Sequence, residues 1–175
     1  MIWLRQAVLF LHLLAAAFWV GEICFVALVV GPMGRGLQPA ERVALFRETG
    51  RRTLPWIWTA IGVLIATGIG NLYFLRIGPG ELVRAAFYRN AFGWLLAAKI
   101  VVALGMFAHS AVHDFVYGRR TRRIRAELAH APPERRPELE LAYRRARRGA
   151  AATGRANLVL ALVVLALAAG LGVRT

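Results

Sequence analysis

The sequence is poor in cysteine, in lysine and in acidic residues. Its 175 residues include one cysteine, Cys24, which excludes an intramolecular disulfide. Nine residues are acidic and 23 are basic, and Lys99 is the only lysine, so the net charge of +14 comes almost entirely from arginine. The chain also has no nucleophile–base constellation and no phosphate-binding loop, which argues against a hydrolase or a kinase.

Apolar residues, in contrast, make up 58% of the chain and are concentrated in four long runs. A soluble domain is nearer half apolar, and runs of this length predict membrane-spanning helices. The first run is longer than the apolar part of a signal peptide, so we predict that it is retained. We predict an all-α integral membrane bundle, a single transmembrane domain over residues 1–175 with spans at about 4–30, 53–75, 91–117 and 157–173.

The segments between the spans are predicted from their charge and proline content. Residues 38–50 predict a short helix on the membrane surface, and residues 118–155 predict a basic loop with two short helices around Ala131-Pro132-Pro133. Seventeen arginines follow spans one and three, against five on the other side. Basic loops beside spans are typical of the cytoplasmic face, so this charge predicts termini outside rather than nucleic-acid binding.

Ionisable side chains inside the predicted spans are candidates for function. If Arg5 and Ala91 mark the outer ends of spans one and three, His12 is ~10 Å deep and Lys99 ~12 Å deep at the rise of an α-helix. If these spans are neighbours, His12 and Lys99 form an outer polar layer. The alternatives are that His12 bonds a facing backbone or hydroxyl group and that Lys99 extends to the interface.

A second, inner layer is predicted from residues nearer the cytoplasmic ends of the same spans. It would contain Glu22, His109 and His113. Trp19 follows His12 by seven residues, so the two lie on the same face of span one. Met106 follows Lys99 by seven residues and lies on the same face of span three. The alternatives are that His109 and His113 are interfacial and that Trp19 and Met106 only pack.

Two cofactors suit these residues. Neutral imidazole across a helix seam can hold haem iron, and a neutral lysine is a less usual ligand, so His12 and Lys99 are candidate iron ligands. Haem propionates could then pair with Arg5, Arg84 or Arg89. Copper is the other possibility, since imidazole and thioether groups are suitable ligands. Its candidate ligands are His12, Met106, His109 and His113, and their spread along the helices favours a pair such as His109 and His113 over one compact site.

The first and third spans also resemble a known family. His12-x6-Trp19-x-Gly21, and Trp94-Leu-Leu-Ala-Ala-Lys99 followed by His109, resemble the corresponding spans of the CopD/HemJ-type four-helix membrane proteins. HemJ proteins bind haem b and act as protoporphyrinogen oxidases, and CopD proteins are associated with copper uptake or resistance in the bacterial inner membrane. The resemblance implies that His12 and Lys99 are haem-site residues, with Trp19 packing on the site.

Together these features predict a haem-b-binding redox protein of the bacterial inner membrane, similar to a cytochrome b, with electron-transfer or protoporphyrinogen-oxidase-like activity. A redox partner or quinone would then be its partner in the bilayer, and the glycine- and alanine-rich faces of spans two and four would allow a homodimer. The alternatives are a CopD-like copper-handling protein and a structural or regulatory protein without a cofactor.

The predicted orientation can be tested by cysteine-accessibility labelling at positions 128 and 82. With both termini outside, a cysteine at position 82 should react with an impermeant reagent in intact cells, whereas one at position 128 should be protected. The opposite pattern would show that the orientation is wrong.

Overall fold

Four long helices form the fold of the computed structural model, which describes residues 1–172. They are α1 (Ile2–Met33), α2 (Pro39–Phe74), α3 (Ala91–His130) and α4 (Pro133–Leu171). Each is long and apolar enough to cross a membrane, and residues 1–172 contain no strand. The predicted all-α class with four spans is therefore confirmed. Val173, the predicted end of span four, and Arg174, counted among the outer arginines, lie outside the described residues.

Two of the helices contain π-helical stretches. α1 is α-helical over Ile2–Phe25, π-helical over Val26–Val30 and closes with the turn Gly31–Met33. α3 is α-helical over Ala91–Ala111, π-helical over Val112–Tyr117 and α-helical again over Gly118–His130. A π turn inserts a residue into the helix, so the faces before and after it are not in phase.

The predicted surface helix at residues 38–50 is not separate from the second span. Pro39–Phe74 is one α-helix, and the side chain of Glu41 caps its start by accepting a hydrogen bond from the N–H of Gln38 at 3.1 Å. At the junction with the apolar stretch, Glu48 pairs with Arg51 and Arg52, each at 2.6 Å. These hydrogen bonds lower the pKa of Glu48 to about 2, and i,i+3 and i,i+4 pairs of this kind support a continuous helix.

The segment between α2 and α3 contains two short helical turns. They are an α-helical turn at Pro79–Leu82 and a 3-10 turn at Ala85–Arg89. α3 then begins under a side-chain cap, because Asn90 Oδ1 accepts a hydrogen bond from the N–H of Gly93 at 2.8 Å.

The described residues group into two compact units, residues 1–97 and residues 98–172. In the first unit α1 packs against α2. The buried residues of this seam are Ala15 and Trp19 on α1 and Ala60, Ile61 and Leu64 on α2. A Cβ at Gly70 would lie 3.1 Å from Cγ1 of Val8, so this glycine permits the close approach of α1 and α2, whereas Gly62 has no neighbour within 4 Å.

In the second unit α3 packs against α4. Met106 and Ser110 on α3 and Asn157 and Ala161 on α4 are buried, with Met106 only 1% exposed. Asn157 Nδ2 donates a hydrogen bond to Ser110 Oγ at 2.9 Å. This bond fixes the register of the two helices at the start of the apolar part of α4.

Residues 118–155 form what we call the arginine arm. The predicted basic loop is helical on both sides of the break at Ala131–Pro132, but the two helices are extensions of α3 and α4 rather than separate short helices. An apolar seam joins them, made of Ile124, Ala131, Leu139 and Ala146 with Leu128, Ala142 and Tyr143 around it. The physical reason is that arginine has a high helix propensity, and only the two prolines interrupt the pattern.

Gly93 supplies a test of how α3 begins. A Cβ at this position would overlap the backbone carbonyl oxygen of Phe87, so we expect Gly93→Ala to lower the stability of the purified protein by about 1–3 kcal/mol, as overpacking does. Thermal unfolding in detergent measures the effect. The matched control is Gly105→Ala on the same helix, where no atom lies within 4 Å and we expect no loss. Equal stability of the two variants would contradict the prediction.

Candidate functional site

His12 lies in the seam between α1 and α2, and its hydrogen bond has a defined direction. His12 Nδ1 is 2.9 Å from Thr67 Oγ1. The Thr67 hydroxyl donates its own hydrogen to the carbonyl oxygen of Val63 at 2.5 Å. Thr67 Oγ1 must therefore accept from His12, so Nδ1 carries the proton and the lone pair of the neutral ring is on Nε2.

The walls of this seam are apolar and closely packed. Trp19, two turns along α1 from His12, is 4% exposed, and Thr67 is itself buried. A Cβ at Gly68 would lie 3.7 Å from His12 Cε1, so the ring lies against the backbone of α2. The ring is thus held against α2 by the hydrogen bond to Thr67 and by contact with a glycine.

The other residues predicted for the outer layer are distributed over both units. Lys99 is partly buried on α3 in the second unit, and its predicted pairing with His12 stays a prediction. Arg5 is exposed in the first turns of α1, and Arg89 is exposed at the end of a 3-10 turn. Arg84 forms an ion pair with Glu81 at 2.6 Å, so this candidate propionate partner already has a carboxylate.

The histidines of α3 are also oriented through Nδ1. His109 Nδ1 is 3.0 Å from the carbonyl oxygen of Gly105, which can only accept. His113 Nδ1 is 2.9 Å from Asp114 Oδ1. In both rings Nδ1 is therefore the donor, and in the neutral form of each ring Nε2 carries the lone pair that a metal would bind. Glu22, predicted for the same inner layer, is partly exposed on α1 in the other unit, and the layer stays a prediction.

Three polar residues of the seams were not singled out from the sequence. They are Thr67, Ser110 and Asn157, and each makes or accepts an interhelical hydrogen bond. One signal was available: Ser110 follows Lys99 by eleven residues and Met106 by four, which places it on the same face of α3.

The metal-ligating side chains do not gather into a large cluster. Within residues 1–172 no group of three or more histidine, cysteine, aspartate or glutamate residues could hold a metal ion. Met106, the candidate thioether ligand, is buried on α3. A metal ion bound within residues 1–172 would therefore have at most two ligands from histidine, cysteine, aspartate and glutamate.

Two curated proteins are similar to this chain. It is 34% identical over 114 residues to "Copper transport protein CutJ" of Bacillus subtilis (strain 168), which covers 65% of this chain and 19% of that protein. It is 37% identical over 79 residues to an uncharacterized protein of Aquifex aeolicus (strain VF5), which covers 45% of this chain and 54% of that protein. The chain thus matches about a fifth of the length of the first relative and half of the second. No family model matches, and no solved structure matches.

The direction of the His12–Thr67 bond can be tested without any metal. We expect ¹⁵N NMR of the purified protein to show His12 protonated at Nδ1 at neutral pH. Thr67→Val removes the acceptor while keeping the shape of the side chain, so the preference for this tautomer should be lost or reduced. Thr67→Ser, which keeps the hydroxyl, should retain it. A His12 ring that carries its proton on Nε2 in the unmodified protein would contradict the prediction.

Proposed function

We propose that this chain handles copper as cargo within the membrane and that His12 is a copper ligand. The observation that carries this proposal is the common orientation of the histidines in the apolar helices. His12, His109 and His113 each use Nδ1 as a donor, so each has the Nε2 lone pair that copper requires. Imidazole held in this way by a neighbouring oxygen is the usual arrangement of a histidine metal ligand.

The similarity to a copper transport protein supports copper over haem. It extends over 65% of this chain, and copper is what that relative's name says it transports. This similarity agrees with the CopD-like alternative from the sequence, in which the chain handles copper rather than haem. We propose accordingly that the chain lies in a bacterial inner membrane and belongs to the copper-associated side of that superfamily.

A small number of ligands suits a transported ion. Conduction requires a site that binds strongly enough for the ion to enter and weakly enough for it to leave. A site built from one or two imidazoles and a thioether such as that of Met106 meets this requirement better than a closed four-ligand site. Because copper binds the deprotonated nitrogen, acidification should weaken binding.

Haem b remains the second candidate, supported by the geometry of His12 alone. A neutral imidazole with Nε2 as the lone-pair nitrogen also suits an axial iron ligand, and Thr67 would fix its orientation. Lys99 and the propionate partners Arg5, Arg84 and Arg89 belong to this proposal. If bound there, haem would supply one-electron redox chemistry, and a redox partner or quinone would be needed.

A copper titration of the purified full-length chain tests the proposal. We expect the chain to compete with a chromophoric chelator for Cu(I). His12→Ala should weaken binding at least tenfold, since loss of a residue that merely orients a ligand already costs about 10–100-fold. His130→Ala is the matched control, because His130 is exposed in the arginine arm.

The outcomes separate the candidates. Equal copper binding by the His12→Ala variant, or no binding by the unmodified chain, would overturn the copper proposal. A Soret band that depends on His12 would support haem instead. His12→Asn, which retains a polar side chain facing Thr67, together with thermal unfolding, distinguishes loss of a ligand from loss of the fold.

A further inference from the structure

The arginine arm carries far more positive charge than its own fold uses. Residues 118–155 contain twelve arginines and four glutamates. Only Arg123 with Glu127, at 2.8 Å, and Arg144 with Glu140, at 3.7 Å, form ion pairs among the described residues of the arm. Arg125 and Arg147 lie over the ring of Tyr143 and help to hold the two helices together. Arg119 lies over the ring of Phe115, and the other arginines of the arm form no ion pair within residues 1–172.

The arm has a base near the apolar part of the helices and a tip away from it. The base is marked by a close contact between the ring of Tyr117 and the position of Gly149. From there to the turn at Ala131–Pro132 is about 13 residues, or ~20 Å at the rise of an α-helix. The headgroup region on each side of a bilayer is only about 5–8 Å thick, so it reaches the base and not the tip.

The arginines at the base lack carboxylate partners. Arg120, Arg148 and Arg155 are exposed, and no ion pair within residues 1–172 involves them. Arg155 comes two residues before the buried Asn157, so it lies at the edge of the apolar stretch. Arg135 and Arg136 are at the tip, and Arg136 donates a hydrogen bond to the carbonyl oxygen of Ala131 at 3.2 Å.

We propose that the base of the arginine arm is a binding surface for anionic phospholipid headgroups. The guanidinium group matches phosphate oxygens in geometry and charge, and its long side chain can extend from the edge of an apolar stretch to the headgroups. A positive charge that stands more than a Debye length of about 8 Å from the surface is largely screened. The arginines at the tip therefore contribute little to lipid binding. This surface is independent of the proposed copper site.

Two double variants with the same change of charge test the proposal. Arg148→Gln with Arg155→Gln removes two charges at the base of α4, and Arg135→Gln with Arg136→Gln removes two at the tip of the same helix. Native mass spectrometry of the purified full-length chain measures binding of phosphatidylglycerol, with phosphatidylcholine as the zwitterionic control. Since each basic residue near an anionic surface strengthens binding about fivefold, the base variant should bind phosphatidylglycerol at least tenfold more weakly. The tip variant should be unchanged.

A rescue variant and three further outcomes also decide whether the base of the arm binds lipid. Replacing Arg148 and Arg155 by lysine should restore most of the binding, because the charge is retained, and thermal unfolding identifies a variant that has lost its fold. Absence of a preference for phosphatidylglycerol in the unmodified chain would overturn the proposal, as would equal losses at base and tip. Loss at the tip alone would place the lipid contact at the tip of the arm and would also overturn it.

Discussion

A hydrogen-bonding side chain between apolar helices has no water to bond, and an unsatisfied group there costs several kcal/mol. The seam of α1 and α2 depends on this constraint, because His12 and Thr67 satisfy each other at 2.9 Å. The bond has one direction, since the Thr67 hydroxyl already donates to Val63. The backbone of α2 is close enough for this bond because the two glycines that follow Thr67, at positions 68 and 70, lie against His12 and Val8 of α1. A single threonine thus determines which ring nitrogen of His12 carries the proton.

The same constraint organises the second unit in a different way. There the polar contact joins Ser110 to Asn157, and the histidines of α3 bond to oxygens of their own helix. The two seams therefore differ in what they fix. In the first unit a hydrogen bond between helices orients the candidate ligand, whereas in the second the interhelical bond sets helix register and leaves ligand orientation to local bonds.

The four spans could be predicted because the length and apolar content of a run determine whether it can cross a bilayer. The ends of the helices could not be predicted in this way, because they depend on local contacts. The ion pairs that Glu48 forms with Arg51 and Arg52, for example, join residues 38–50 to the second span. For the site, His12 could be singled out because it is an ionisable residue inside a predicted span. Its partner Thr67 was not, because it lies 55 residues away, and only the register of α1 against α2 brings the two together. The ordinary alternative of a facing hydroxyl group describes this bond, while the pairing with Lys99 stays a prediction.

The continuity of α4 has a mechanical consequence. Arg136–Gly172 is one α-helix that begins in the arm, passes Asn157 and ends at the far side of the apolar stretch. No loop interrupts this helix, and the seam of the arm joins its first half to α3. The arginine arm is therefore continuous with the buried contact between Asn157 and Ser110. A displacement of the arm would be carried into the apolar part of α4 without any change in secondary structure.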